Sequence, residues 1–287
     1  MAVLVLGNPA AAGFDAEARA AIARELGAVE WLDVSGDSTG AGLREAARAT
    51  RLVVVAGGDG TLNHAVNALA DRLGDVTFGL VPAGTGNDFA RTAAIPADPA
   101  DAARAVASGT PRPFDVSRAS GGGASRLFVN ACMGGFPVEV DEAIDEDTKR
   151  RLGALAFWAG GAKRAATGVP RWSVTINGVE VPDCVAVGVG NGRTCGGGVA
   201  VWPRADPSDG RLDACGLGAR GAAAAIRLLL NVSRAAHEGL DGVHTTSAPR
   251  IDIDSDPPVE LNVDGELVGL RSPARFEVVG SFRLLVA

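Results

Sequence analysis

The residues best able to do chemistry lie in two short loops, Gly57-Gly58-Asp59-Gly60-Thr61 and Pro82-Ala83-Gly84-Thr85-Gly86-Asn87-Asp88. Glycines let backbone N–H groups approach a phosphate with no Cβ in the way, and a helix N-terminus adds partial positive charge. A bare carboxylate beside a phosphate repels it, so Asp59 in such a loop calls for a bridging metal ion. Taken alone, the first loop has an equally good second reading, a tight strand-to-helix turn with Asp59 as helix cap. Both loops follow apolar runs, Leu52–Ala56 and Phe78–Val81. Both precede helical spacing: Leu62, Val66 and Leu69 after the first, with Asn87 or Asp88 as the cap after the second. Loops of this kind about twenty-five residues apart fit a βαβ unit and can grip a polyphosphate and its metal from two sides.

GGDGTLN followed by PAGTGNDFAR resembles the catalytic domain of the diacylglycerol kinase superfamily, lipid kinases that include soluble bacterial diacylglycerol kinases and sphingosine and ceramide kinases. GGDGT is shared with NAD kinases; its GTGND partner is not expected there. The resemblance implies ATP and Mg2+ as cofactors. Gly57, Gly58, Gly60, Thr61, Gly84, Thr85 and Gly86 would cradle phosphates, and Asp59 with Asp88 would organise the catalytic metal. Asn63 and Asn87 would hold loop geometry at the nucleotide.

Further segments extend the resemblance over nearly the whole chain. Asn8-Pro9-Ala10-Ala11-Ala12-Gly13 is similar to the family's Asn-Pro-x-Ser-Gly, with Asn8 toward the nucleotide and alanine in place of the serine. Thr39 is either a nucleotide contact or a plain helix cap. Trp202–Asp213 matches Pro-x-Ala-x-Pro-x-Asp-Gly-x-Leu-Asp, where bacterial members hold a structural magnesium. Asp206, Asp209 and the Arg211 carbonyl would be its ligands, oxygen donors suited to a hard cation, and a capped turn without metal is the alternative. Val263-Asp264-Gly265-Glu266 is similar to the second-domain catalytic signature. Glu266 would take the proton of the attacking hydroxyl, although Asp-Gly alone is a common hairpin turn. The family's aromatic residue near Thr194 and Cys195 is missing. Two other readings compete with a lipid kinase: NAD kinase, and a non-catalytic nucleotide-binding regulator on the same fold.

The elements that must position these residues read as α/β. Strands at Val3–Leu6, Val29–Val34, Leu52–Ala56 and Phe78–Val81 alternate with helices, as in a Rossmann-like parallel sheet. Residues 1–112 form this ATP-binding domain, to which a last strand, 281–287, returns. The Gly-Thr-Pro-Arg-Pro stretch 109–113 reads as a boundary. Residues 113–280 read as a mostly antiparallel domain, marked by the hairpin around Asn177-Gly178, and the resemblance implies that it binds the lipid substrate, with the active site in a cleft between the two. A helix is expected over Arg220–His237.

Composition narrows the function classes. A net charge of −7 gives no overall attraction to nucleic acid or to an anionic membrane. Four cysteines without Cys-x-x-Cys spacing and three scattered histidines suggest neither zinc nor a redox motif, and fit reduced core thiols. The N-terminus lacks the basic region of a signal peptide, and no apolar stretch is long enough to span a bilayer. The expected location is therefore cytoplasmic with transient membrane association. The lipid substrate would be met at the membrane surface through peripheral contact, with no nucleic-acid partner, and a homodimer is compatible. Lys149–Arg171 holds six basic residues and no acidic ones. It is either an ordinary helix with its apolar face in the core or an amphipathic helix on an anionic bilayer.

Overall fold

The computed structural model describes residues 3–34, 39–135 and 171–287. The Lys149–Arg171 stretch lies almost wholly outside them. The chain divides into two compact units, Met1–Val116 with Gly280–Ala287, and Ser117–Val279.

In the first unit the order is β1 (Val3–Gly7), α1 (Ala16–Leu26), β2 (Val29–Asp33), α2 (Thr39–Ala46), β3 (Leu52–Gly57), α3 (Asp59–Ala68), β4 (Thr77–Pro82), α4 (Asp88–Thr92) and α5 (Pro99–Ser108). The strands run parallel in the order β2-β1-β3-β4. Val53, Val54, Val55 and Ala56 have no exposed surface, which is why β3 reads as an unbroken apolar run rather than an alternating one. α1 starts on Asp15, whose side chain accepts from Ala18 N, and α5 starts on Asp98, which accepts from Ala100 N and Asp101 N. Phe78, Phe89, Phe114 and Phe282 form an aromatic cluster, with Phe78 and Phe282 edge to face at 5.4 Å.

β5 (Thr110–Gly121) follows α5 without a break. The stretch that reads as a boundary is therefore the start of a strand, which tolerates Pro111 and Pro113 at its beginning. The second unit contains β6 (Ala124–Phe128), β7 (Ala131–Gly135), β8 (Trp172–Ile176), β9 (Val179–Gly190), β10 (Leu212–Gly218), α6 (Ala222–Val232), β11 (Val243–Ala248), β12 (Arg250–Asp256), β13 (Glu260–Val263), β14 (Glu266–Arg271) and β15 (Ala274–Val286). The strand order is β14-β13-β7-β9-β8-β12-β15, with β10 between β9 and β11. The pairings β5–β6, β7–β9, β8–β9, β9–β10, β10–β11, β7–β13, β13–β14, β8–β12 and β12–β15 are antiparallel. The last residues of β15 belong to the first unit, where Arg283 and Leu284 pair in parallel with Thr77 and Phe78 of β4.

Two hairpins turn on left-handed pairs, Asn177-Gly178 (φ 48° and 82°) and Asp264-Gly265 (φ 47° and 88°), the geometry that matches strand twist. The fold class is thus the one the residues suggest: a parallel α/β unit and an antiparallel β unit. The helix expected over Arg220–His237 is shorter, and turns lead from its end to His237. Cys132, Cys184 and Cys215 are buried free thiols, and Cys195 is partly exposed.

Candidate active site

In the first unit, β1 leads outward to β2 while β3 leads the other way to β4. The strand order therefore reverses between β1 and β3, the point in an open α/β sheet where ligands bind at the strands' carboxyl ends. The loops after β1, β3 and β4 are laced together there. Asn8 N donates to Ala56 O at 3.1 Å, Ala83 N to Gly57 O at 3.0 Å, and Gly13 N to Ala83 O at 2.9 Å. Asn8 Nδ2 donates to Thr61 Oγ1 at 3.2 Å, tying the first loop to α3. A Cβ on Gly84 would lie 2.6 Å from Gly58 Cα, so only glycine lets the two glycine loops touch.

Asp59 completes the lacing. Its Oδ2 accepts from Asp88 N and its Oδ1 from Phe89 N, both at 2.9 Å. The expected local cap of α4 is thereby corrected. Asn87 occupies the N-cap position with φ 51° but makes no side-chain cap bond to the helix. It instead brackets Gly84, accepting from Gly84 N at 3.0 Å and donating to Gly84 O at 2.6 Å. The carboxylate that caps α4 comes from Asp59, in another loop.

The Asp88 side chain is buried and lies 3.3 Å from Arg91 Nη1. A Cβ on Gly86 would stand 3.2 Å from Asp59 Oδ2 and 3.5 Å from Asp88 Oδ2, so both carboxylates flank that glycine. Burial raises the Asp59 pKa. The Phe89 and Asp88 N–H groups work against this, and the Asp88 charge adds to it. A cation would relieve such a pair.

α3 differs from α1 and α5 in starting on Gly58 with no side-chain cap. Its first N–H groups are left for water or an anion. Thr61 is buried at this end, and Thr85 is exposed in the facing loop. Asn63 has no exposed surface, and its side-chain oxygen accepts from Asn67 Nδ2 at 3.0 Å. Thr39 opens α2, and its side chain lies outside the described residues.

In the second unit, Glu266 opens β14, and its Oε2 accepts from Arg126 Nη2 at 3.1 Å. Sequence reasoning missed what holds it. Asp264, given there no role of its own within the Asp-Gly-Glu signature, is buried, and its carboxylate accepts from three successive backbone N–H groups. These are Val129 at 2.9 Å, Asn130 at 3.0 Å and Ala131 at 2.8 Å. Asp264 N in turn donates to Ala131 O at 2.8 Å. The hairpin that carries Glu266 is thus fixed to the β6–β7 connection. Asn130 extends the clamp, its Nδ2 donating to Thr194 O and its carbonyl accepting from Asn191 N and Gly192 N. The available signal was a second polar pair, Asn130 and Asn191, each beside a strand end.

The 206–211 loop is a turn satisfied from within. Asp206 Oδ1 accepts from Ser208 N and Oγ, and Asp209 Oδ1 accepts from Arg211 N at 2.9 Å. Burial, followed by the charge of Asp209, raises the Asp213 pKa. Among the described residues no cluster of three or more His, Cys, Asp or Glu side chains could hold a metal.

Glycine loops at the switch point of a parallel sheet, followed by an antiparallel unit, define the fold class of the diacylglycerol kinases. Residues 2–119 match the diacylglycerol kinase catalytic domain family, and residues 131–286 match the YegS C-terminal NAD kinase beta sandwich-like domain. The protein is 35% identical over 246 residues to a "Probable lipid kinase YegS-like" of Xanthomonas oryzae pv. oryzae, covering 83% of this chain and 79% of that one. It is 36% identical over 219 residues to a protein of the same name from Pseudomonas putida, covering 75% and 70%. A crystal structure of a diacylglycerol kinase from Bacillus anthracis superposes with a TM-score of 0.79 at 26% identity, covering 99% of this chain and 96% of that one. The chain belongs to the diacylglycerol kinase catalytic-domain family, and its relatives include proteins named probable YegS-like lipid kinases.

Proposed function

We propose that this protein transfers the γ-phosphoryl group of ATP, with Mg2+, to the hydroxyl of a lipid. The observation that carries the reading is the uncapped N-terminus of α3 at the β1/β3 switch point, beside the Gly84 loop and the Asp59–Asp88 carboxylate pair. The residues fit the cofactor. Mg2+ is ordinarily held by one or two carboxylates together with substrate phosphates, not by an all-protein cage. Asp59 spends two of roughly four acceptor positions on α4 and keeps the others.

Bound ATP and Mg2+ supply the phosphoryl group and neutralise its charge in transfer. The N–H groups of Gly60 and Thr61 and the glycines of the second loop orient the phosphates, and Asn8 fixes the Thr61 hydroxyl beside them. Glu266 takes the proton of the attacking hydroxyl, and Arg126 holds its carboxylate in place. In the second unit, Asp206, Asp209 and the Arg211 carbonyl remain a candidate structural cation site. Relatives named probable lipid kinases support a lipid as the acceptor class.

The test is incubation with labelled ATP and Mg2+ against a panel of diacylglycerol, a sphingoid base, phosphatidylglycerol, an isoprenoid alcohol and NAD. Magnesium-dependent label in a lipid is expected. Equal or better transfer to NAD than to every lipid refutes the reading.

A further inference from the structure

α6 is apolar on both sides. Ala225, Leu228 and Val232 face the core, packed with Met133, Val185 and Trp202. On the outward side Ile226 is 45% exposed and Leu230 is 50% exposed, one turn apart. The other exposed large hydrophobic side chains among the described residues, Val179, Leu267 and Val279, stand one to a strand. At 3.6 residues per turn, Ala223, Ile226, Arg227 and Leu230 fall within an arc of roughly 100°. Arg227 within this stripe and Arg234 in the turn just after α6 are both exposed, and neither forms an ion pair among the described residues. Arg220 is exposed at the start of the helix, but Asp183 pairs with it at 2.9 Å. Asp183 and Asp241 line a cleft of about 630 Å3 alongside Arg220 and Arg227. No acidic residue occurs from Arg220 through His237.

We infer that the outer face of α6 is a docking surface for an anionic lipid bilayer, with Ile226 and Leu230 entering the headgroup region and Arg227 and Arg234 meeting lipid phosphates. The inference rests on the lipid-kinase reading above, which requires the protein to reach a substrate held in a membrane. At 11 residues α6 is too short to cross a bilayer and suits one lying in the interfacial plane. A net charge of −7 opposes approach to an anionic surface as a whole. Attachment therefore needs a local basic and apolar patch acting within a Debye length, about 10 Å at 0.1 M salt. α6 combines both properties, and charge complementarity selects anionic over neutral lipid.

The test is co-sedimentation with vesicles of phosphatidylcholine alone or mixed with phosphatidylglycerol, at low and high salt. Light scattering and melting curves would be recorded alongside. Wild-type protein should bind the anionic vesicles and release from them in salt. I226S/L230S should bind at least about ten-fold more weakly while Tm falls by no more than a few degrees, because about half of each side chain already faces solvent. R227Q/R234Q should lose about five-fold per arginine on anionic vesicles only. Phosphorylation of lipid dispersed in detergent micelles should be the same in all three proteins. Failure of the wild type to phosphorylate any micellar lipid would strike the kinase reading. Vesicle binding unchanged in I226S/L230S, or absent in the wild type, overturns the docking surface. Conversion of a wild-type dimer to monomer by I226S/L230S, with vesicle binding intact, also overturns it and makes the face a contact between copies.

Discussion

Asp59→Asn separates two things one carboxylate is asked to do. The substitution keeps the shape and removes one acceptor. An asparagine can still accept from Asp88 N or Phe89 N, but its NH2 then faces the other N–H. Hydrogen bonds to a charged group contribute about 1.5–3 kcal/mol, and a buried donor left without a partner costs about 1–3 kcal/mol. Part of that loss is offset, because burial disfavours the ionised carboxyl. The sign follows from linkage. The folded pKa lies above 3.8, so the group's contribution to stability is greatest below that value and falls as pH rises toward the folded pKa. Above the folded pKa its charge is therefore a cost that asparagine removes. The net loss should be about 1–2 kcal/mol, read as a fall in Tm of roughly 3–8 °C for a unit of this size. Melting without nucleotide tests the cap, and titration of ATP with and without Mg2+ tests the metal role. We expect the lower Tm in both conditions and an affinity for ATP–Mg2+ at least about ten-fold weaker. A Tm within a degree of wild type would refute the account of α4 capping, and undiminished Mg2+-dependent affinity would remove Asp59 from the metal site.

Three substitutions bear on the second unit. Glu266→Gln should cut turnover by about 10²–10⁴ while ATP–Mg2+ binding and Tm stay near wild type, and near-normal turnover would leave that segment only a hairpin. Asp264→Asn should instead lower both Tm and turnover, because it opens the clamp on Val129, Asn130 and Ala131, and an unchanged Tm would contradict it. Asp209→Ala should lower Tm and make melting indifferent to chelator if the loop binds a cation, whereas a wild-type curve indifferent to chelator removes the cation.

The parallel sheet and its glycine loops were legible because their signals are local. Buried strands leave apolar runs, and tight strand-to-helix turns leave glycine. What was not legible is what joins segments distant in sequence. The cap of α4 comes from a residue 29 positions away, while capping rules look three or four residues along the chain. The Asp264 clamp spans 133 to 135 positions. β10 was hidden for a different reason. Its Gly216 lies under Val181 and Ile176, where a Cβ would come within 2.8 Å of Val181, so close packing removed the β-branched residues that announce a strand. Thr110–Pro113 reads as a break because proline and glycine mark a strand's first residues as readily as a linker; β5 starts there, and the two units divide a few residues later, after Val116.

Asp59 and Asp264 solve one problem in two unlike units. Each stands next to a glycine in a tight turn, and each carboxylate accepts successive backbone N–H groups from a distant loop. An acceptor-only side chain with two oxygens suits this task best, because an asparagine would turn its NH2 toward one of the N–H groups. The fold therefore favours aspartate at both positions whether or not any phosphoryl group is transferred. Their presence in GGDG and Asp-Gly-Glu cannot separate an active kinase from a nucleotide-binding protein on the same frame. Glu266 can. Its side chain is 43% exposed, its one hydrogen bond is to Arg126, and an exposed ion pair of this kind contributes little to stability. This ion pair gives little stability reason for a glutamate at the position, so a catalytic role for Glu266 can be tested apart from folding. The discriminating comparison is thus the loss of turnover in Glu266→Gln at constant Tm.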